Sequence, residues 1–182
     1  MIRGKTVNLR IVSEADLDDF ATYMNDVQLQ GEYENLELGS EVEMRAKFAK
    51  TGFWENEEGI LNLADKQDRV IGFVRYWKPF TSPNRLAYEV SFGIDKPAHR
   101  GKGFMSEALP LFVAFLFATK RTERIQATVH PENLGSRRVL EKSGFKYEGL
   151  LRQAYLWRGI PTDVQLFSII RADSPPLVML AE

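Results

Sequence analysis

The stretch 95-DKPAHRGKGFMSEALPLF-112 sets Gly101 and Gly103 beside Arg100 and Lys102, just ahead of what reads as a helix. Glycine lets backbone amides approach a ligand closely, and the first turn of a helix leaves amide donors unpaired at the positive end of its dipole. An anion such as a phosphate fits that combination. The same residues also suit a plain turn with solvated basic side chains, because short glycine motifs are weakly specific. Of two other phosphate-binding patterns, one fails here and one fits weakly. A Walker A loop needs Gly-Lys followed by Ser or Thr, and Lys102-Gly103-Phe104 does not supply it. A dinucleotide fingerprint could take Ser106 as its third small residue, but it should open an early strand-helix-strand unit rather than follow an antiparallel hairpin.

Composition bounds the remaining chemistry. The chain has 182 residues, enough for one domain with a sizeable core; residues 1–173 read as that domain and 174–182, with two prolines, as a C-terminal tail. With 24 basic and 25 acidic residues the net charge is near zero, which argues against nucleic acid as a partner. The absence of cysteine excludes disulfides and thiolate chemistry, and two histidines, His99 and His130, are too few for the usual zinc spacings, so no metal is expected. No apolar run reaches membrane-spanning length and the first residues become charged early, so a cytoplasmic protein with no membrane partner is expected.

The elements that would position the glycine loop follow from periodicity. Residues 6–12 alternate as a strand, Ser13 and Asp16 form a capping pattern, and apolar residues at helical spacing predict a helix over about 14–26. Ser40 and Glu43 repeat the capping pattern before a helix that Gly52 would end. Segments 60–65 and 70–77 read as a hairpin and 86–94 as a third strand. A helix over 103–120 contains Pro110, which predicts a kink or a later start of its regular part. A strand at 124–129, a helix within 130–145 and three strands at 145–151, 154–159 and 163–170 complete the chain.

This order, with 101-GKGFMSEAL-109 after one strand and 133-NLGSRRVLEKSGF-145 after the next, resembles the GNAT superfamily of acyl-CoA N-acyltransferases. The wording of 9-LR-10, 101-GKGFMSEAL-109, 133-NLGSRRVLEKSGF-145 and 148-EGLLRQ-153 is similar to the branch that acetylates ribosomal-protein N termini and some small amines. The resemblance implies an α/β (α+β) GNAT fold: a central mixed, mostly antiparallel sheet of about seven strands with about four helices on both faces. It further implies an acetyltransferase using acetyl-CoA as donor, acting on a protein N-terminal amine or a small-molecule amine, as a monomer or homodimer.

Carried over residue by residue, the resemblance assigns the coenzyme pyrophosphate to the amides of Arg100, Gly101, Lys102, Gly103 and Phe104, with the Arg100 and Lys102 side chains adding charge. Ala98 stands where the family's loop commonly has Arg or Gln, which removes one side-chain contact, and His99 could partly replace it. Asn133 and Ser136 match positions facing the pantetheine arm and the sulfur; Asn133 equally suits a helix cap. Arg138, with Arg137 and Lys142, could reach a coenzyme phosphate or form a solvated face. The amide near Phe92 would meet the acetyl oxygen. Leu140 occupies the position of the family's frequent general-acid tyrosine, leaving Ser136 or water to protonate the thiolate. Glu89 matches a glutamate facing the substrate cleft and could accept an amine proton through water, although it could also be a charge on a half-exposed strand. Tyr33, Trp54, Trp77, Tyr155 and Trp157 could line the acceptor pocket or pack as core, and the acidic run 32–43 could attract a basic acceptor. A non-catalytic acyl-CoA-binding module is the alternative, motivated by Leu140 and Ala98.

Overall fold

A computed structural model describes residues 1–34, 36–79 and 86–177. Of the proposed tail, residues 178–182 lie outside the described residues. In chain order the elements are β1 (Ile2–Arg3), β2 (Val7–Ile11), α1 (Leu17–Asn25), α2 (Glu41–Thr51), β3 (Glu58–Asp65), β4 (Val70–Trp77), β5 (Ala87–Ile94), α3 (Phe104–Thr119), β6 (Arg124–Val129), α4 (Leu134–Lys142), β7 (Lys146–Trp157) and β8 (Ile160–Ile170). Short 3-10 turns precede α1 and α3 and follow β8.

Local chemistry accounts for most boundaries. The Asp16 carboxylate accepts from both the amide and the hydroxyl of Ser13, at 2.7 and 2.6 Å, and takes a two-pronged contact from Arg10 at 2.7 and 2.8 Å. Those donors hold Asp16 far below the usual carboxylate range, so the entry to α1 is anchored to β2. Ser40 accepts from the Glu43 amide at 3.3 Å, and α2 ends on Gly52 with φ of 60°. In the β3–β4 turn, Asp65 Oδ1 accepts from the amides of Gln67 and Arg69 at 2.9 and 3.0 Å, closing the hairpin.

The strands form one eight-stranded sheet in the order β1-β2-β3-β4-β5-β6-β8-β7. Every neighbouring pair is antiparallel except β5 and β6. Helices α3 and α4 cover one face, over a core that includes Val74, Tyr76, Tyr88, Val90, Phe112, Ile125, Leu140 and Phe167. On the other face α1 and α2 pack Leu17, Ala21 and Met44 against Val12, Phe53 and Ile60. Among the described residues no helix is long and apolar enough to cross a membrane.

Three sequence expectations change. Segments 145–151 and 154–159 are one strand, β7, because the pairing with β8 survives two irregularities, at Tyr147/Gly149 and Leu151/Tyr155, where Gly149 and Gln153 take positive φ. The two-residue β1 extends the sheet beyond β2 and was not anticipated. Helix α3 does not start late: it runs from Phe104 through Pro110, whose missing N–H leaves the Ser106 carbonyl without its usual helical donor. Burial of Leu109, Phe112, Val113 and Leu116 on both sides of Pro110 outweighs that loss.

Candidate active site

The parallel pair β5–β6 sets the geometry. Its ladder covers Ala87, Tyr88 and Glu89 against Arg124, Ile125 and Gln126, and then ends. Beyond it β5 stays with β4 as far as Ile94 opposite Gly72, and β6 stays with β8 as far as Val129 opposite Gln165. Each strand follows its antiparallel neighbour, so the two part and a wedge opens between Val90–Ile94 and Ala127–Val129. On the β4 side the backbones are close: a Cβ on Gly72 would lie 2.1 Å from the Gly93 carbonyl oxygen. Backbone groups turned into such a wedge can pair with an extended amide-bearing chain, as an added strand would.

The glycine loop stands at the mouth of the wedge. Gly101 and Gly103 have φ of 73° and 84°, in the left-handed region, and a Cβ on either would meet nothing within 4 Å. Gly103 caps α3, and its carbonyl accepts from the Glu107 amide at 3.1 Å. The Arg100 amide donates to the Pro97 carbonyl at 3.0 Å, so of the five assigned amides this one is already engaged. Those of Gly101, Lys102, Gly103 and Phe104 have no acceptor among the described residues. Arg100 Nε donates to the Ile94 carbonyl at 3.2 Å, which ties the loop to the end of β5. His99 turns inward against Phe104, and its buried Nδ1 has no hydrogen-bond partner among the described residues.

Across the wedge, α4 begins at Asn133, whose side-chain oxygen accepts from the Ser136 amide at 3.0 Å. Asn133 is thus a cap, and Ser136 is half-buried in the first turn. Leu140, one turn later, is fully buried in the α3–α4 core. Arg137 pairs with Glu141 at 2.8 Å, whereas Arg138 is exposed and meets no acid among the described residues. Phe92 is half-buried against the α3 core.

Glu89 lies at the closed end of the wedge, on the face opposite Tyr88 and Val90. Its carboxylate accepts from Gln126 Nε2 at 3.1 Å and Thr128 Oγ1 at 3.0 Å, both from β6. Those neutral donors orient it, and it meets no cation among the described residues. Neither Gln126 nor Thr128 was singled out in the sequence, although a buried glutamine inside the apolar strand RIQATV is a legible signal. Farther along the same row, Glu148 accepts from Ser168 at 2.6 Å and pairs with Arg124; the Arg124 hydrogen bonds, partly offset by burial, hold its carboxyl down to about 2.

The aromatic candidates divide. Tyr33 and Trp157 come together around His130, with ring centroids 4.9 and 5.0 Å from the imidazole, and Trp157 Nε1 donates to the Glu32 carbonyl at 3.1 Å. This cluster joins the α1–α2 connection, the end of β6 and the tip of the β7–β8 hairpin. His130 Nδ1 accepts from the Glu132 amide at 3.2 Å, which leaves Nε2 to carry the proton. Trp77 pairs across the strands with Glu89, and Tyr155 lies on β7 opposite Thr162. Trp54 belongs elsewhere: it packs on Tyr76 and Phe115 in the α3 core, so it does not line the cleft. At the open end of β5, burial and the neighbouring Glu34 raise the Asp95 carboxyl to about 6, against opposing pulls from Lys96 and Arg100.

A family model described as "Acetyltransferase (GNAT) domain" matches residues 6–146. The chain belongs to the GNAT acetyltransferases. This GNAT chain is 40% identical over 115 residues to the probable N-acetyltransferase YjcK of Bacillus subtilis (strain 168), a match covering 63% of the chain and 61% of that protein. It also resembles the spermidine N-acetyltransferase from Vibrio cholerae solved in complex with CoA and spermine, with TM-score 0.76 and 24% identity over 93% of this chain and 98% of that one. The ribosomal-protein-S5-alanine acetyltransferase from Vibrio fischeri gives TM-score 0.77 and 23% identity, covering 96% and 98%. At these identities the likeness to the two structures is one of fold. GNAT acetyltransferases take their acetyl group from acetyl-CoA.

Proposed function

We propose that the protein transfers the acetyl group of acetyl-CoA to a primary amine by direct attack. The carrying observation is the juxtaposition of an open wedge between β5 and β6, a loop of open amides at its mouth and, at its closed end, the Glu89 carboxylate, which meets no cation among the described residues. The amides of Gly101, Lys102, Gly103 and Phe104 would hold the pyrophosphate, aided by Lys102, Arg100 and Arg138. The β5 amide near Phe92 would polarise the thioester carbonyl. Glu89, oriented by Gln126 and Thr128, takes the proton from the amine, directly or through one water. The amine nitrogen then bonds to the carbonyl carbon as the carbon–sulfur bond breaks, and Ser136 or water protonates the sulfur. No covalent enzyme intermediate is required.

The acceptor is a protein N-terminal amine or a small-molecule amine. The segments quoted above resemble the branch that acetylates ribosomal-protein N termini and some small amines, and they do not choose between the two acceptors. A second reading, an acyl-CoA-binding module without efficient transfer, is favoured by full burial of Leu140, which offers no phenol at the usual acid position. Titration calorimetry with acetyl-CoA, combined with thiol release across a panel of amines and peptides, separates the two. Transfer predicts binding and acceptor-dependent release; binding without release for every amine supports the module, and no binding of any acyl-CoA removes both.

A further inference from the structure

On the face of β4 and β5 that carries Glu89, alternation also places Arg75 and Trp77 from β4 and Ser91 from β5, in the register Arg75 opposite Ser91 and Trp77 opposite Glu89. The opposite face at these positions is Tyr76, Tyr88 and Val90, sealed under α3. Arg75 is exposed, yet held: Nε donates to Ser91 Oγ at 2.6 Å, and the guanidinium lies 5.2 Å from the Trp77 ring centroid. A guanidinium fixed through Nε keeps its two terminal nitrogens as a free fork, the edge that matches a carboxylate.

No carboxylate among the described residues uses that fork. Other arginines do meet acids: Arg10 meets Asp16 and Asp68, Arg124 meets Glu148, and Arg171 meets Glu123. Glu58, on the same face beside Trp77, is taken by Lys47 at 2.6 Å. Among the described residues, a positioned cation without an anion therefore stands one strand step from a positioned carboxylate without a cation. With about 3.4 Å of rise per residue and about 4.8 Å between strands, the diagonal from Glu89 to Arg75 is about 8 Å between Cα positions.

We propose that Arg75 recognises the acceptor, and that the acceptor is a primary amine carrying a carboxylate about 5–8 Å from its reacting nitrogen, a separation set by that diagonal. The ammonium would approach Glu89 while the carboxylate takes the Arg75 fork. An ω-amino acid with a few methylenes meets this description, and so does a peptide N terminus followed by an acidic side chain. A polyamine would bring a second ammonium towards Arg75. The inference rests on the reading that the amine reaches Glu89 from this face.

The test uses the full chain and acetyl-CoA with matched acceptors: 4-aminobutyrate against 4-aminobutanamide, and the peptide amide Ser-Glu-Ala against Ser-Gln-Ala, with spermidine as the cationic comparison. Thiol release is measured for the native protein, Arg75→Gln and Arg75→Lys, and calorimetry follows 4-aminobutyrate and Ser-Glu-Ala amide binding to the protein saturated with coenzyme A. The native protein should favour the carboxylate member of at least one pair by about tenfold or more in kcat/KM, as charge-assisted hydrogen bonds imply. Arg75→Gln should bring that ratio close to one, and Arg75→Lys should keep part of it. The favoured pair identifies the small-molecule or peptide source. Turnover of other amines with no carboxylate preference, a preference unchanged in Arg75→Gln, or a matching loss of coenzyme A affinity in that variant overturns this proposal and leaves the transferase reading standing. Arg75-dependent binding with no turnover removes the transferase reading alone; absence of both turnover and acceptor binding removes the two together.

Discussion

Glu89 is held by two neutral donors that arrive from another strand, and this separates it from Asp16 and Glu148. Asp16 and Glu148 each meet an arginine and are committed to structure. Glu89 meets Gln126 and Thr128, which fix its direction without neutralising it, so an ammonium can still be drawn to it. Replacing Glu89 with glutamine should lower kcat by about 100-fold or more, the usual scale for loss of a general base, while acetyl-CoA affinity changes little. Steady-state rates across pH check this: a pH profile unchanged in the variant would remove Glu89 as the base. Leu140 shows the opposite outcome at this scale. Its place in the core leaves no phenol on that turn of α4, so in the proposed mechanism proton delivery to sulfur would fall to Ser136 or water.

At the scale of elements, the loop before α3 and the close contact between β4 and β5 do separate tasks. Gly103 needs its left-handed φ, and the space where a side chain would point is open. Asparagine tolerates that backbone region, so Gly103→Asn should fold while placing an amide group where the pyrophosphate would lie. Coenzyme A affinity should fall by about tenfold or more through the lost amide contacts, read by calorimetry, with the melting temperature little changed. Gly72 tests the wedge wall. Gly72→Ala sets a methyl against the Gly93 carbonyl, so β4 and β5 must shift apart, at a cost of about 1–3 kcal/mol. Denaturant unfolding reads that cost, and coenzyme affinity should weaken with it because Gly93 borders the wedge. Native-like affinity in the destabilised variant would separate the wall from the site.

For the whole molecule, the open end of β5 joins distant parts of the chain. Asp95 follows β5, Glu34 comes from the α1–α2 connection and Tyr23 from α1, with the Tyr23 hydroxyl donating to Glu34 at 3.3 Å. The Asp95 Oδ1 atom is buried with no hydrogen-bond partner among the described residues. Because its carboxyl is raised to about 6, the folded state holds this proton more tightly than the unfolded chain does. Its contribution is therefore fully present below the ordinary carboxylate value near 4 and is lost as pH rises to about 6. Asp95→Asn should remove that decline and stabilise the protein at pH 8 by about 1–3 kcal/mol, measured as the difference between native and variant unfolding curves across pH. A difference that does not grow between pH 4 and 6 would contradict the assignment.

What could be read without coordinates is what short-range contacts decide. The caps at Ser13 and Ser40, the Asp65 turn, the glycine cradle and the Asn133 start of α4 each depend on residues within one helical turn or one hairpin, so their chemistry is written in adjacent letters. The family's motifs lie in the same local segments. The partners of Glu89 lie 37 and 39 residues away, and the fixed guanidinium of Arg75 depends on a serine 16 residues away across a strand pair. Nor does periodicity tell that β5 and β6 pair for three residues and then part. That wedge exists because β5 keeps its ladder with β4 and β6 keeps its ladder with β8, and a choice between neighbours far apart in the chain is made only when all of them pack together.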